Sequence, residues 1–131
     1  MEQRVPGQPE QPIEEQFSQI AKAGYDGVCL DPGVTEIEEN LALKPLFERY
    51  QLGCMINAFP NKAEELEPLL DLAVSLNACQ VNIIGGVMPL KPSSAASVVR
   101  SWLATAVEYS MPVLMETHRN GTLNEIGRAH V

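Results

Sequence analysis

Positive charge is scarce in this sequence: Lys and Arg together number 9 against 17 Asp and Glu, there are only 2 His, and the formal net charge is −8. Proteins that grip nucleic acid or lie on anionic lipid gather cations on one surface, so both partner classes are disfavoured, although a small anion could still be held locally. No uninterrupted apolar run is long enough to span a bilayer, and the opening MEQRVPGQPEQP lacks the apolar centre of a secretory signal. No membrane role and a cytoplasmic location are therefore expected. Cysteine is sparse as well. Cys29, Cys54 and Cys79 lie far apart, without CxxC or Cys/His ligand spacing, and each stands in an apolar strand-like context (GVCLD, LGCMIN, NACQVN), where a free thiol is expected to act as a small hydrophobe. A GxGxxG dinucleotide fingerprint is also missing.

What the chain does have is apolar content, 45% of 131 residues, enough for one compact core. Residues 1–12, rich in Pro, Gly and Gln, read as a loop. From Ile13 the pattern changes: Ile13, Phe17, Ile20 and Ala21 recur at three-to-four spacing, an amphipathic helix that Gly24 can stop, and GVCLD follows as a strand. The same unit then recurs. Helices from about Glu36 to Tyr50, Ala63 to Leu76 and Ser94 to Tyr109 each lead into an apolar run, CMINAF (after a break at Gly53), QVNIIGG and VLMET. Strand cores near Val28, Cys54, Val81 and Val113 are spaced by roughly 26 to 32 residues, which suits one strand, one helix and two short loops. The strands are apolar throughout instead of alternating, as for parallel strands covered on both faces.

This is an α/β pattern, and without the Rossmann fingerprint a closed (β/α) barrel is favoured over an open doubly wound sheet. A polar or small residue ends every strand: Asp31, Asn57, Gly85 with Gly86, and Glu116 with His118. Strand C-termini are where a barrel assembles its active site.

AGYDGVCLD (residues 23–31), VNIIGG (81–86) and VLMETHRNGTL (113–123) together resemble the sugar phosphate isomerase/epimerase family, the xylose isomerase-like barrels. The resemblance runs from about Pro12 to Leu123 and covers about half of that family's barrel. It implies that residues 13–125 form a partial (β/α)8 TIM barrel of four βα units with a parallel sheet, strands two to five of eight. It also implies a divalent-metal-dependent isomerase or epimerase that moves a proton next to a carbonyl of a small sugar or sugar phosphate. The metal, Mn²⁺, Mg²⁺, Zn²⁺ or Co²⁺, would be held by a carboxylate ending the fifth strand and by ligands from later strands.

Glu116 matches that carboxylate and is the candidate metal ligand and catalytic base. A Glu that opens a solvated loop and pairs with Arg119 is the plainer alternative. His118 follows two residues on, on the same side of an extended chain, and its imidazole can donate to or accept from a sugar hydroxyl. Arg119 offers a planar fork to a phosphate or carboxylate, or an ion pair. Asp31 and Asn57 are further candidate substrate contacts, although Asp31 before Pro32 and Gly33 also reads as turn chemistry. Alternatives in function are a non-catalytic sugar-binding protein on the same scaffold, an inosose dehydratase, or an apurinic endonuclease, the last disfavoured by the acidic balance. A homo-oligomer is compatible with all of these.

The final IGRAHV, residues 126–131, is what ATC GGA AGA GCA CAC GTC encodes, a string that resembles a widely used short-read sequencing adapter. It is expected to be read-through, with Arg128 and His130 outside the chemistry. Met1 is then an open question as a true start, and a chain holding half a metal site is expected to be inactive alone and to associate through its open sheet edges.

Overall fold

The structure is a computed structural model that describes residues 9–86 and 92–117. Its elements follow in chain order: α1 (Ile13–Lys22), β1 (Gly27–Leu30), α2 (Ile37–Leu41), α3 (Lys44–Tyr50), β2 (Gly53–Ala58), α4 (Leu66–Ser75), β3 (Gln80–Ile83), α5 (Pro92–Glu108) and β4 (Val113–Met115). A single 3₁₀ turn, Ala63–Glu65, leads into α4. Among the described residues the four strands form one parallel sheet in sequential order, β1-β2-β3-β4, with a helical crossover between each neighbouring pair.

The segment from Glu36 to Tyr50, expected as one helix, is two. Pro45 is the reason: it sits in the first turn of α3, has no N–H to donate, and its ring would collide with the carbonyl of Leu41, the last residue of α2. At this point the chain breaks and restarts.

Each helix that precedes a strand ends in the same way. The residue that closes the last turn is left-handed, and the next N–H reaches back five residues: Tyr25 to Ile20, Leu52 to Phe47, Ala78 to Ala73 and Met111 to Ala106, at 3.3, 3.1, 2.8 and 3.1 Å. These are Schellman closures. The left-handed residues are Gly24, Gln51, Asn77 and Ser110, with φ of 84°, 51°, 53° and 51°. Only the first is a glycine. The expected break at Gly53 therefore lies two residues earlier, at Gln51, and Gly53 instead opens β2.

The sheet is covered on one face. Successive strand residues alternate in direction, and the residues of one phase, Val28, Leu30, Cys54, Ile56, Ala58, Val81, Ile83, Val113 and Met115, all pack into the core with the helices. α4 lies over β2 and β3 and buries Leu66, Leu69, Leu70, Leu72 and Ala73. Trp102 and Ala106 of α5 join the same core, and at its other end Phe17 of α1 meets Phe47 of α3 edge-on, ring centroids 5.0 Å apart. Each fully buried aliphatic side chain of this kind contributes roughly 1.5–3 kcal/mol. The opposite phase carries Cys29, Met55, Asn57, Gln80, Asn82 and Leu114, none of them buried. The expectation of strands apolar on both faces thus fails for this second face, which in a closed barrel is the interior.

Gly27 is set by its neighbour. It pairs with Gly53, and a Cβ on it would stand 2.6 Å from the Gly53 carbonyl oxygen, so the first rung of the β1–β2 ladder requires glycine. The cysteines divide likewise. Cys54 is buried on the helix-facing side, as expected, but Cys29 and Cys79 are exposed. Cys29 takes the other strand phase, and Cys79 comes just before β3, its N–H donating to the Cys54 carbonyl at 2.9 Å while its side chain is exposed.

Candidate active site at the strand ends

Because the four strands run parallel, their C-terminal ends form one rim, and the strand alternation aims the same phase of every strand away from the helices. Asp31 follows β1 on that face, Asn57 stands opposite Asn82 in β2 and β3, and Glu116 follows β4. The backbone fixes the last of these: the Glu116 N–H donates to the Ile83 carbonyl at 3.0 Å, extending the β3–β4 ladder by one rung.

The four side chains form one hydrogen-bonded ladder. Asn57 Nδ2 donates to Asp31 Oδ1 at 2.7 Å. Asn82 Nδ2 donates both to Asn57 Oδ1 at 3.2 Å and to Glu116 Oε2 at 2.8 Å. The ladder has a carboxylate at each end, and carboxylates only accept, so the amides between them must donate outward in both directions. Asn82 is where the direction reverses: its amide nitrogen donates to both neighbours and its Oδ1 takes no part in the ladder. One layer nearer the strand N-termini, Gln80 Nε2 lies 3.1 Å from Met55 Sδ.

Cys29 sits two residues before Asp31 on the same face. Burial pushes its thiol pKa up, and the Asp31 carboxylate pushes it further. A neutral thiol, not a thiolate, is therefore the form placed below Asp31 at neutral pH.

Beside Asp31 the rim opens into a cleft of about 330 Å³. Residues 31–35 form one wall, Phe59, Asn61 and Glu65 form the other, and the buried Leu69 lines it as well. Two loop N–H groups at this cleft are already engaged: Gly33 donates to Glu36 Oε2 at 2.8 Å and Asn61 donates to Glu65 Oε2 at 2.7 Å.

Of the residues singled out from sequence, the structure brings Asp31, Asn57 and Glu116 into the one ladder. His118 and Arg119 lie outside the described residues, as does IGRAHV. Asn82 was missed in favour of Gly85 and Gly86, which come later in the chain. Its signal was present, a lone amide between the buried Val81 and Ile83.

As a metal site the described residues fall short on their own. Asp31 and Glu116 stand at opposite ends of the ladder, each bonded to a different amide with Asn57 and Asn82 between them, so the ladder does not bring the two carboxylates together on one ion. No group of three His, Cys, Asp or Glu side chains suited to an ion occurs among the described residues. Glu116 can supply one ligand, with Asn82 orienting it.

The architecture has a match of known structure. The chain superposes on the crystal structure of YagE, a prophage protein belonging to the dihydrodipicolinic acid synthase family from E. coli K12, in complex with pyruvate, with a TM-score of 0.61 and 18% sequence identity. The match covers 83% of this chain and 39% of that one. Four consecutive parallel βα units matched in this way make the chain a partial (β/α)8 barrel. The match carries the fold and not the xylose isomerase-like subtype expected from the sequence. Neither a family model nor a curated protein matches the chain. No helix among the described residues is long and apolar enough to cross a membrane.

Proposed function

We propose that the chain is part of a (β/α)8 enzyme, a sugar or sugar phosphate isomerase or epimerase that moves a proton on the carbon beside a carbonyl. The observation that supports this reading is the Asp31–Asn57–Asn82–Glu116 ladder across the strand ends. It supplies a carboxylate whose direction is fixed, and next to it the Asn82 oxygen can accept a bond from a substrate hydroxyl.

Glu116 is the base. Its carboxylate takes the proton from the carbon next to the carbonyl, the electron pair moves onto the carbonyl oxygen to give an enediolate, and the carboxylic acid so formed holds the proton for return. Return by Glu116 to the former carbonyl carbon, with the hydroxyl proton passing to the former carbonyl oxygen, gives isomerisation; epimerisation instead takes a proton from a second acid on the opposite face of the original carbon, Glu116 keeping the one it removed. Asn82 aims the carboxylate, and alignment of this kind is where effective molarity is gained. A divalent ion, with Glu116 as one ligand and the rest from outside the described residues, would polarise the carbonyl oxygen.

The test is deuterium exchange from solvent into D-xylulose and D-xylulose 5-phosphate, followed by NMR with added Mn²⁺ removed before detection. The full-length protein that carries this chain should exchange, and Glu116→Gln should lower the rate at least about 100-fold. Exchange at the original rate in Glu116→Gln refutes the role of Glu116. Sugar binding without exchange in the unmodified protein identifies a binding protein instead.

A further inference from the structure

We infer that the cleft beside Asp31 is a subsite for the uncharged, hydroxyl-bearing end of the substrate, and that it excludes a phosphate group at that position. The inference rests on the sugar reading above and narrows it to one substrate class at this end of the site.

The chemistry of the walls carries the argument. A phosphate is usually held by loop N–H groups, by a cation, or by both. At this cleft the Gly33 and Asn61 N–H groups are already used by Glu36 and Glu65, 2.8 and 2.7 Å away. Among the described residues no Lys or Arg lines it, whereas Asp31 and Glu65 both do. A dianion entering here would therefore meet two carboxylates with no cation among the described residues to offset them, and with the Gly33 and Asn61 N–H groups already taken.

A hydroxyl group meets the opposite situation. Asp31 uses Oδ1 to accept from Asn57, and Glu65 uses Oε2 to accept from the Asn61 N–H, so each carboxylate keeps a second oxygen for a sugar O–H. Such charge-assisted bonds are the strong ones. Phe59 and Val34, each 42% exposed, offer apolar surface at the mouth for the C–H faces of a sugar, and Leu69 offers more within. The ladder then runs from this subsite towards Glu116, so hydroxyls bound at Asp31 place the carbonyl end further along the same rim.

The experiment is amide and side-chain NMR on the full-length protein with two probes, D-xylose and inorganic phosphate. D-Xylose should shift the Asn61 and Glu65 amides and the Phe59 ring, and inorganic phosphate at the same concentration should shift none of them. Glu65→Ala frees the Asn61 N–H and removes an acceptor; it should weaken D-xylose binding roughly tenfold and allow phosphate to shift Asn61. Phe59→Ala, which leaves the loop bonds intact, should weaken D-xylose alone. Phosphate shifts in the unmodified protein, no D-xylose shift at these residues, or equal affinity in both variants overturns the inference. Failure of the isomerase reading shows separately, as exchange that persists in Glu116→Gln, because that assay does not depend on Glu65 or Phe59.

Discussion

Asn82 stands 2.8 Å from Glu116 Oε2 and donates to it from the same nitrogen that serves Asn57. The consequence is testable by comparing two replacements. Asn82→Asp removes both donors and sets a third carboxylate against Glu116, whereas Asn82→Leu removes the donors without adding charge. At pH 7 the Asp variant should be the less stable of the two by about 1 kcal/mol in urea unfolding. At pH 4, where carboxylates begin to protonate, the gap should narrow. Equal stability at both pH values would show that Asn82 and Glu116 do not face one another.

Gly27 and Gly53 form an asymmetric pair. A Cβ on Gly27 would lie 2.6 Å from a backbone oxygen that cannot move without disturbing β2, whereas a Cβ on Gly53 would meet only the Asp26 oxygen at 3.4 Å. Gly27→Ala should therefore cost roughly 1–3 kcal/mol by thermal or urea unfolding, and Gly53→Ala well under 1 kcal/mol. Equal costs would place the two strands in a different register.

The alternation of helix and strand was legible because each helix writes a period near 3.6 and each strand a short apolar run, and Ile13, Phe17 and Ile20 do so without ambiguity. The break between α2 and α3 was written in Pro45 but outweighed by the continuing apolar period. Asn82 was hidden for a similar reason. A single amide inside QVNIIGG does not disturb the apolar count, and only pairing with β2 shows that it faces Asn57 and not the core. The exposure of Cys29 was illegible too, since it depends on which strand face the helices cover, a tertiary fact. The left-handed positions Gln51, Asn77 and Ser110 carry no glycine, so local sequence gave no strong mark of them.

Those three positions make a graded prediction. A non-glycine residue with left-handed φ has its Cβ crowded against the carbonyl oxygen, about 1–2 kcal/mol against glycine at worst and less for Asn. Gln51→Gly and Ser110→Gly should each raise stability by about 0.5–1 kcal/mol, and Asn77→Gly by less. In the reverse direction, Gly24→Ala should lower it by about 1 kcal/mol. Measured by thermal melts, a loss in all three glycine variants would mean that the junctions do not close as Schellman turns.

Cys54 supplies a test that depends on pH. Its burial, and then the nearby thiols of Cys29 and Cys79, push its pKa from 9.0 up to about 12. A folded-state pKa above the unfolded one means that the stability linked to this thiol is fully present below pH 9 and is lost as pH rises from 9 towards 12. Alkaline unfolding should therefore be shallower in Cys54→Ala than in the unmodified protein, even though the cavity lowers its stability at pH 7. Alkylation gives a second readout. At pH 8 iodoacetamide should modify Cys79 and, more slowly because of its own raised pKa, Cys29, while Cys54 stays protected until the protein unfolds. Asp31→Asn removes a charge that holds the Cys29 thiol up, so it should speed modification of Cys29 and leave Cys54 unchanged. Were Cys54 to react as fast as Cys79 in the folded state, β2 would not be packed beneath the helices, and the covered face of the sheet would have to be reassigned.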